Sequence, residues 1–210
     1  MALIFYYAEN STAEVTARVL DELEHGLTKP LANRIKLSIG AGDTRTPAFL
    51  SLNPNGRVPV IAHNGVAIWE SAAITMYLGE TFGVDRDEPP YPALGPLRGK
   101  AMKWIVWTNM ELAEAAGRLA AALPRGTPGA VEEVKAQTNA RRDVARCLDI
   151  LEDALAADAF LAGEAYSLAD THVWTFVGYV SDVMGIDLNG HPNLKAWQRR
   201  VEERPALAGK

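Results

Sequence analysis

The sequence predicts a small layered α/β domain followed by an all-helical domain. Strand and helix signals alternate over residues 3–82, and a stretch rich in proline and charge follows, as is typical of a linker. Beyond that stretch the apolar residues recur only at helical spacing. We therefore expect an α/β domain over 1–83, a linker over 84–96 and a helical domain over 97–210.

Each element of the first domain has its own local signal. The first strand is rich in aromatic residues, the second alternates polar and apolar residues, and the last two are joined by a His-Asn-Gly turn. The elements are strands at 3–7, 34–39, 58–62 and 66–68, and helices at 13–24, near 47–52 and from Ser71 onward. This order predicts a small mixed sheet with helices packed on it.

Four helical segments are expected in the second domain, at 97–122, 130–156, 168–184 and around 194–201. The segment 168–184 is apolar on nearly every side, which is typical of a buried helix. Ser167 and Asp170 have the spacing of a capping box at its start, so we assign these two residues a structural role.

Composition excludes several kinds of function. Lys and Arg number 21 against 26 Asp and Glu, a net charge of −5, which argues against nucleic-acid binding. No run approaches the roughly 18 apolar residues of a membrane span, and we expect no membrane association. Cys147 is the only cysteine, so a disulfide-free protein of a reducing compartment such as the cytoplasm is expected. The four histidines are scattered, and no metal site is expected.

A proline and a helix start stand out as a candidate binding site. Pro59 opens a strand, where proline removes a hydrogen-bond donor. If the Val58–Pro59 bond is cis, the backbone N–H and C=O of Val58 point outward and are free to pair with an extended peptide; the alternative is a trans proline at a strand edge. Glu70 and Ser71 begin a helix whose free N–H groups favour a carboxylate ligand, unless Ser71 simply caps the helix.

In their order along the chain, these motifs resemble the glutathione S-transferases, of the bacterial type that uses a serine or threonine hydroxyl rather than a cysteine. The resemblance extends over nearly the whole sequence. Its elements are the aromatic first strand with the hydroxyls after it, the Asn-Pro-x-Gly-Arg-Val-Pro segment at 53–59, the Glu-Ser-Ala-Ala-Ile segment at 70–74, the linker, and the segments 163–170 and 191–205. It implies a thioredoxin-like domain that binds glutathione and a helical-bundle domain that lines the second substrate's pocket.

The resemblance also implies a role for individual residues. The backbone of Val58, with Pro59 cis, would pair with the cysteinyl unit of glutathione. Glu70 and Ser71 would hold the γ-glutamyl end, and Arg57 would reach the glycine carboxylate.

Thiol activation is expected from the turn after the first strand. Two adjacent hydroxyls lie there: counting from Tyr6 selects Ser11, and counting from Tyr7 selects Thr12. Serine is the family's commoner choice, which favours Ser11. Tyr7 is a third candidate, because some family members use a tyrosine. The turn has no cysteine, so thiol transfer through a mixed disulfide with the protein is not expected.

The resemblance implies conjugation of the glutathione thiolate to small hydrophobic electrophiles, with glutathione as co-substrate, no metal, and a homodimeric protein. A peroxidase activity toward organic hydroperoxides would use the same thiolate. Trp107 and Met110 are candidates for the electrophile pocket, with core or interface packing as the alternative. The competing hypotheses are a non-catalytic protein that binds glutathione or hydrophobic ligands and an interaction module on the same fold.

Overall fold

A four-stranded mixed sheet forms the centre of the first domain in the computed structural model, which describes residues 3–123 and 134–209. The strands are β1 (Leu3–Tyr7), β2 (Ala32–Lys36), β3 (Val60–His63) and β4 (Val66–Trp69), in the spatial order β2-β1-β3-β4. β1 and β2 are parallel, and the other two pairs are antiparallel. Asn64 and Gly65 both have positive φ, as a tight β3–β4 hairpin turn requires.

Three strands differ from their predicted bounds: β2 begins two residues early, at Ala32, and β4 ends one residue late, at Trp69. β2 ends at Lys36 because the chain turns away beyond it, where the Ser38 N–H donates to the Asp43 carboxylate at 2.8 Å. β3 begins at Val60 rather than at Val58, since Pro59 has no N–H to donate to a neighbouring strand.

Helices α1 (Ala13–Glu24), α2 (Pro47–Leu52) and α3 (Ser71–Phe82) complete this domain. The apolar side of α1 is essentially fully buried and consists of Val15, Val19, Leu20 and Leu23.

The second domain contains α4 (Pro96–Trp107), α5 (Ala113–Ala122), α6 (Val134–Leu155), α7 (Leu168–Gly178) and α8 (Pro192–Glu202). The segments Thr108–Leu112 and Tyr179–Val183 are π-helical, so the helices expected at 97–122 and 168–184 each contain a widened turn. The first four residues of the helix expected at 130–156 lie outside the described residues. None of the helices in the described ranges is long and apolar enough to cross a membrane.

α7 lies between the two domains and packs against α1, α3 and α4. Nearly all of its residues are buried, as the sequence predicts, and the capping box of Ser167 and Asp170 is present. The Asp170 carboxylate also accepts hydrogen bonds from the Leu161 N–H at 2.8 Å and the Trp197 indole N–H at 2.9 Å. The fold is the predicted combination of an α/β domain and an all-α domain.

An ion pair joins the end of the chain to the first domain. Arg204, just after α8, donates through two guanidinium nitrogens to the carboxylate of Glu22 on α1, at 2.6 and 2.9 Å. The guanidinium also lies 3.3 Å from the ring centroid of Tyr166. The Glu22 side chain is only 3% exposed, so Arg204 neutralises a buried charge.

Candidate functional site

The loop before β3 is held by a buried amide. Asn53 is 3% exposed, its Nδ2 donates to the Arg57 carbonyl at 2.7 Å, and its Oδ1 accepts from the Asn55 N–H at 3.0 Å. These bonds fix the backbone that leads into Val58 and Pro59. The peptide bond between those two residues is cis, the first of the two alternatives that the sequence left open.

The two hydroxyls after β1 have different partners. Thr12 Oγ1 donates to the Val58 carbonyl oxygen at 3.2 Å and so reaches the residue before the cis proline. Ser11 Oγ instead donates to the Ala8 carbonyl at 2.6 Å and accepts from the Ala13 N–H at 3.2 Å. The Ser11 hydroxyl therefore serves its own turn, whereas the Thr12 hydroxyl spans to the loop at 53–58.

Both tyrosines of β1 are half-buried and pack through their rings. Tyr7 stacks on Phe5 with ring centroids 5.5 Å apart, and Tyr6 meets Phe49 edge to face at 6.1 Å. Their positions follow from the alternation of side chains along a strand, which puts adjacent residues on opposite faces.

A sharp corner joins β4 to α3. Glu70 forms it with φ 73° and ψ 117°, a conformation that residues other than glycine rarely adopt. Backbone strain of this kind is concentrated at ligand-binding sites. The Glu70 side chain is exposed, while Ser71, the first residue of α3, is 4% exposed. The corner therefore presents a carboxylate beside the N-terminus of a helix.

Ser71 does not cap α3 with its side chain. Its hydroxyl instead accepts a hydrogen bond from Asn109 Nδ2 at 2.9 Å. Asn109 Oδ1 lies 2.8 Å from His172 Nε2, and His172 Nδ1 lies 2.9 Å from Thr75 Oγ1. We call Thr75, His172, Asn109 and Ser71 the interdomain network, because two members lie on α3 and two in the helical domain.

His172 is a hydrogen-bonded core residue. It is fully buried, and burial lowers its pKa to about 3, so the imidazole is neutral at pH 7. Asn109 was not among the predicted site residues. Its signal in the sequence was a lone amide next to the aromatic residues of the first long helix.

The remaining predicted residues lie around these features. Arg57 is exposed, next to the cis proline. Trp107 is half-buried and meets Trp104 edge to face with centroids 5.2 Å apart, and Met110 is 62% exposed. Trp107 and Met110 do not line the open cavity beside the turn that carries Ser11 and Thr12.

An open cavity of about 530 Å³ lies beside the turn that carries Ser11 and Thr12. It is lined by residues of the first domain: Ala8, Glu9, Asn10, Lys36, Leu37, Ser38, Ile39, Gly40 and Asp43. The Lys36 ammonium lies 2.6 Å from the Glu9 carboxylate at its edge.

Over 3–123 and 134–209 no three His, Cys, Asp or Glu side chains come together in a way that would hold a metal ion. Cys147 is fully buried, and this burial raises the pKa of its thiol, so it is a poor source of thiolate.

Two family models match the chain: the glutathione S-transferase N-terminal domain at residues 28–80 and the glutathione S-transferase C-terminal domain at 112–205. The protein belongs to the glutathione S-transferase superfamily. The thioredoxin-like first domain and helical second domain are those of this superfamily.

Several glutathione S-transferase relatives have clear sequence similarity to the chain. It is 28% identical to glutathione S-transferase GstB of Escherichia coli, over 98% of this chain and 96% of that protein. It is 30% identical to glutathione S-transferase F14 of Arabidopsis thaliana, over 79% of this chain and 67% of that protein. It is also 28% identical to the E. coli disulfide-bond oxidoreductase YghU, over 92% of this chain and 68% of that protein.

Solved structures show the same glutathione S-transferase fold. The glutathione transferase URE2P6 from Phanerochaete chrysosporium, in complex with oxidized glutathione, superimposes with a TM-score of 0.85 at 22% identity, covering 98% of this chain and 93% of that one. Ure2p in complex with glutathione gives a TM-score of 0.84 at 23% identity, covering 98% and 96%.

Proposed function

We propose that the protein is a glutathione transferase that conjugates the thiolate of glutathione to small hydrophobic electrophiles. The observation that best supports this is the hydrogen bond from Thr12 to the Val58 carbonyl. It brings a hydroxyl from the start of α1 to the backbone next to a cis proline, which is where the cysteinyl unit would pair.

Each of the three residues of glutathione is held by the protein in this proposal. The backbone of Val58 pairs with the cysteinyl unit as an added strand would. The γ-glutamyl carboxylate binds Ser71 at the N-terminus of α3, where unpaired N–H groups and the helix dipole favour an anion. The exposed Glu70 carboxylate attracts the γ-glutamyl ammonium, and Arg57 attracts the glycine carboxylate.

Thr12 activates the thiol in this proposal, with Ser11 serving the turn. The family resemblance favours Ser11, but the Ser11 hydroxyl is bonded within its own turn, and of the two hydroxyls only that of Thr12 spans to Val58. When the cysteinyl N–H occupies the Val58 carbonyl, the Thr12 hydroxyl is released to donate to the thiolate. Tyr7 remains a candidate for a contact with bound ligand.

The required shift in thiol pKa is within reach of these groups. A free thiol with a pKa near 8.5 is only about 3% thiolate at pH 7, and the thiolate is the nucleophile. Lowering that pKa by about two units requires about 2.7 kcal/mol. A hydroxyl hydrogen bond to an anion contributes about 1.5–3 kcal/mol, and a helix N-terminus adds about 0.3–1 kcal/mol.

The electrophile is expected between the turn at 8–12 and the helical domain, with Trp107 and Met110 as apolar lining. The thiolate sulfur forms a bond to the electrophilic carbon, and the leaving group departs with the bonding electron pair. The same thiolate would reduce an organic hydroperoxide to its alcohol, and a second glutathione would then release oxidised glutathione and water. We also propose a homodimer, which is typical of the family, and a cytoplasmic location, which the single buried cysteine favours.

Similarity to the disulfide-bond oxidoreductases YghU and YfcG of E. coli favours a second candidate, the reduction of small disulfides. Without a cysteine in the turn, both electrons would come from glutathione. One glutathione thiolate attacks the disulfide and expels a thiol. A second glutathione then attacks the mixed disulfide, yielding oxidised glutathione and the second thiol.

A titration of bound glutathione tests the proposed activation without a choice of electrophile. The thiolate absorbs in the ultraviolet, so its pKa is measured directly on the complex. We expect ionisation about two units below the solution value. An unshifted pKa, or no binding, would refute the transferase proposal. Rates with a chlorodinitrobenzene, an organic hydroperoxide and a small disulfide then separate conjugation from peroxidase and reductase activity.

A further inference from the structure

The interdomain network is a continuous line of polar atoms within the protein interior. Thr75 and His172 are fully buried, Ser71 is 4% exposed and Asn109 is half-buried. The three contacts measure 2.9, 2.8 and 2.9 Å. Buried polar groups are costly unless they are paired, so the arrangement constrains where each hydrogen lies.

The direction of every hydrogen bond follows from one contact. Asn109 Nδ2 donates to Ser71, which leaves Asn109 Oδ1 as an acceptor for His172 Nε2. The neutral imidazole of His172 has a single N–H, and that hydrogen is therefore on Nε2. His172 Nδ1 is then an acceptor and takes the hydrogen of the Thr75 hydroxyl. Every hydrogen bond of the network therefore points the same way, from Thr75 through His172 and Asn109 to Ser71.

This direction fixes the role of the Ser71 hydroxyl. The oxygen already accepts from Asn109, so its own hydrogen is available to a further acceptor. In the part of the chain that the structure describes, no acceptor takes that hydrogen. Ser71 is also the first residue of α3, where an anion is favoured. The hydroxyl is therefore available as a donor at a helix N-terminus that favours an anion.

Asn109 lies in the π-helical turn at Thr108–Leu112. The turn widens the helix where Asn109 faces α3, and Thr108 donates its hydroxyl to the Trp104 carbonyl at 2.8 Å in the same turn. π-helical turns are frequent at functional sites. The helical domain therefore reaches into the glutathione-binding half through Asn109.

We propose that Asn109 and His172 are positioning residues for ligand recognition: they hold the Ser71 hydroxyl as a donor to the γ-glutamyl carboxylate. This rests on the proposed binding of glutathione at Ser71. It extends the site across the domain junction, because two of the three groups that orient this hydroxyl belong to the helical domain.

The tautomer of His172 provides a direct test. In protein labelled with ¹⁵N histidine, we expect His172 to carry its hydrogen on Nε2, both free and with glutathione. A hydrogen on Nδ1 would mean that the hydrogen bonds of the network run in the opposite direction, with the Ser71 hydroxyl donating to Asn109. That result would overturn the proposal.

Binding supplies the second readout. We expect Asn109→Leu to weaken glutathione binding by about tenfold, measured by calorimetry, while kcat at saturating glutathione changes less than twofold, since the thiol is activated elsewhere. Glu111→Gln is the matched control in the same π-helical turn, where Glu111 pairs with Arg146 at the surface, and it should bind like wild type. Unchanged binding in Asn109→Leu refutes the proposal.

A second variant keeps the test open if Asn109→Leu does not fold. Thr75→Val preserves shape and removes the donor at the far end of the network. We expect about threefold weaker binding and a mixture of His172 tautomers, whereas wild-type binding with a single tautomer counts against the proposal. Failure of the wild-type protein to bind glutathione would refute the proposed function as well. Binding that Asn109→Leu leaves unchanged would refute only this inference.

Discussion

Replacing Thr12 by alanine should raise the pKa of bound glutathione and slow conjugation at neutral pH. The variant removes the hydroxyl that reaches the Val58 carbonyl at 3.2 Å and leaves the start of α1 in place, because Thr12 makes no side-chain cap to that helix. If the hydroxyl contributes about 2 kcal/mol to the thiolate, its loss raises the thiol pKa by about 1.5 units, from about 6.5 to about 8. The thiolate fraction at pH 7 then falls from about 75% to about 10%, and the rate falls about eightfold.

The assay is the pH dependence of kcat/KM, with Thr12→Ser and Ser11→Ala beside Thr12→Ala. Thr12→Ser should restore most of the activity, since it returns the hydroxyl. Ser11→Ala should keep the wild-type inflection, because its hydroxyl is bonded to Ala8 within the turn. Above pH 9 the Thr12→Ala and wild-type rates should converge. If the inflection of the pH profile shifts in Ser11→Ala but not in Thr12→Ala, the assignment to Thr12 is refuted and Ser11 is the activating residue.

Two further predictions concern stability. Arg204→Met should lower the free energy of unfolding by about 3 kcal/mol in urea denaturation, because it leaves the Glu22 carboxylate buried and unpaired. Glu9→Gln is the control: it breaks an exposed ion pair and should lower the free energy of unfolding by less than about 0.5 kcal/mol. Equal effects of the two substitutions would contradict this reasoning. His172→Gln should flatten the dependence of stability on pH below about 6.5. The folded pKa of His172, about 3, lies below its unfolded value, so the unfolded chain binds the extra proton as the pH falls. Wild-type stability should therefore fall by about 1.6 kcal/mol between pH 6.5 and 5. Parallel stability curves for the two proteins would contradict this prediction.

Much of the fold and of the local geometry of the candidate site was predictable from local chemistry. Pro59 at a strand start and Glu70-Ser71 at a helix start are marked by residue types whose backbone constraints act over a few positions. The alternation of strands and helices is predicted by the spacing of apolar residues along the sequence, which is also a local property.

Asn109 and the difference between Ser11 and Thr12 depend on less local features. A single widened turn leaves the apolar pattern of a helix almost unchanged, so periodicity cannot show which polar residue it turns toward α3. The two hydroxyls are adjacent and chemically similar. What separates them is the path of the turn, where Asn10 adopts φ 54°, and the position of a loop more than forty residues away.

The burial of α7 has a consequence for how this protein can be divided. The helix is in contact with α1 and α3 of the first domain and with α4 of the second, so the two halves share one interior and should unfold in a single cooperative transition. Neither half is therefore expected to fold as an independent domain. A chimaera that joined the first 83 residues to a foreign helical partner would expose the faces of α1 and α3 that α7 now covers, and it would need a matching helix to regain stability.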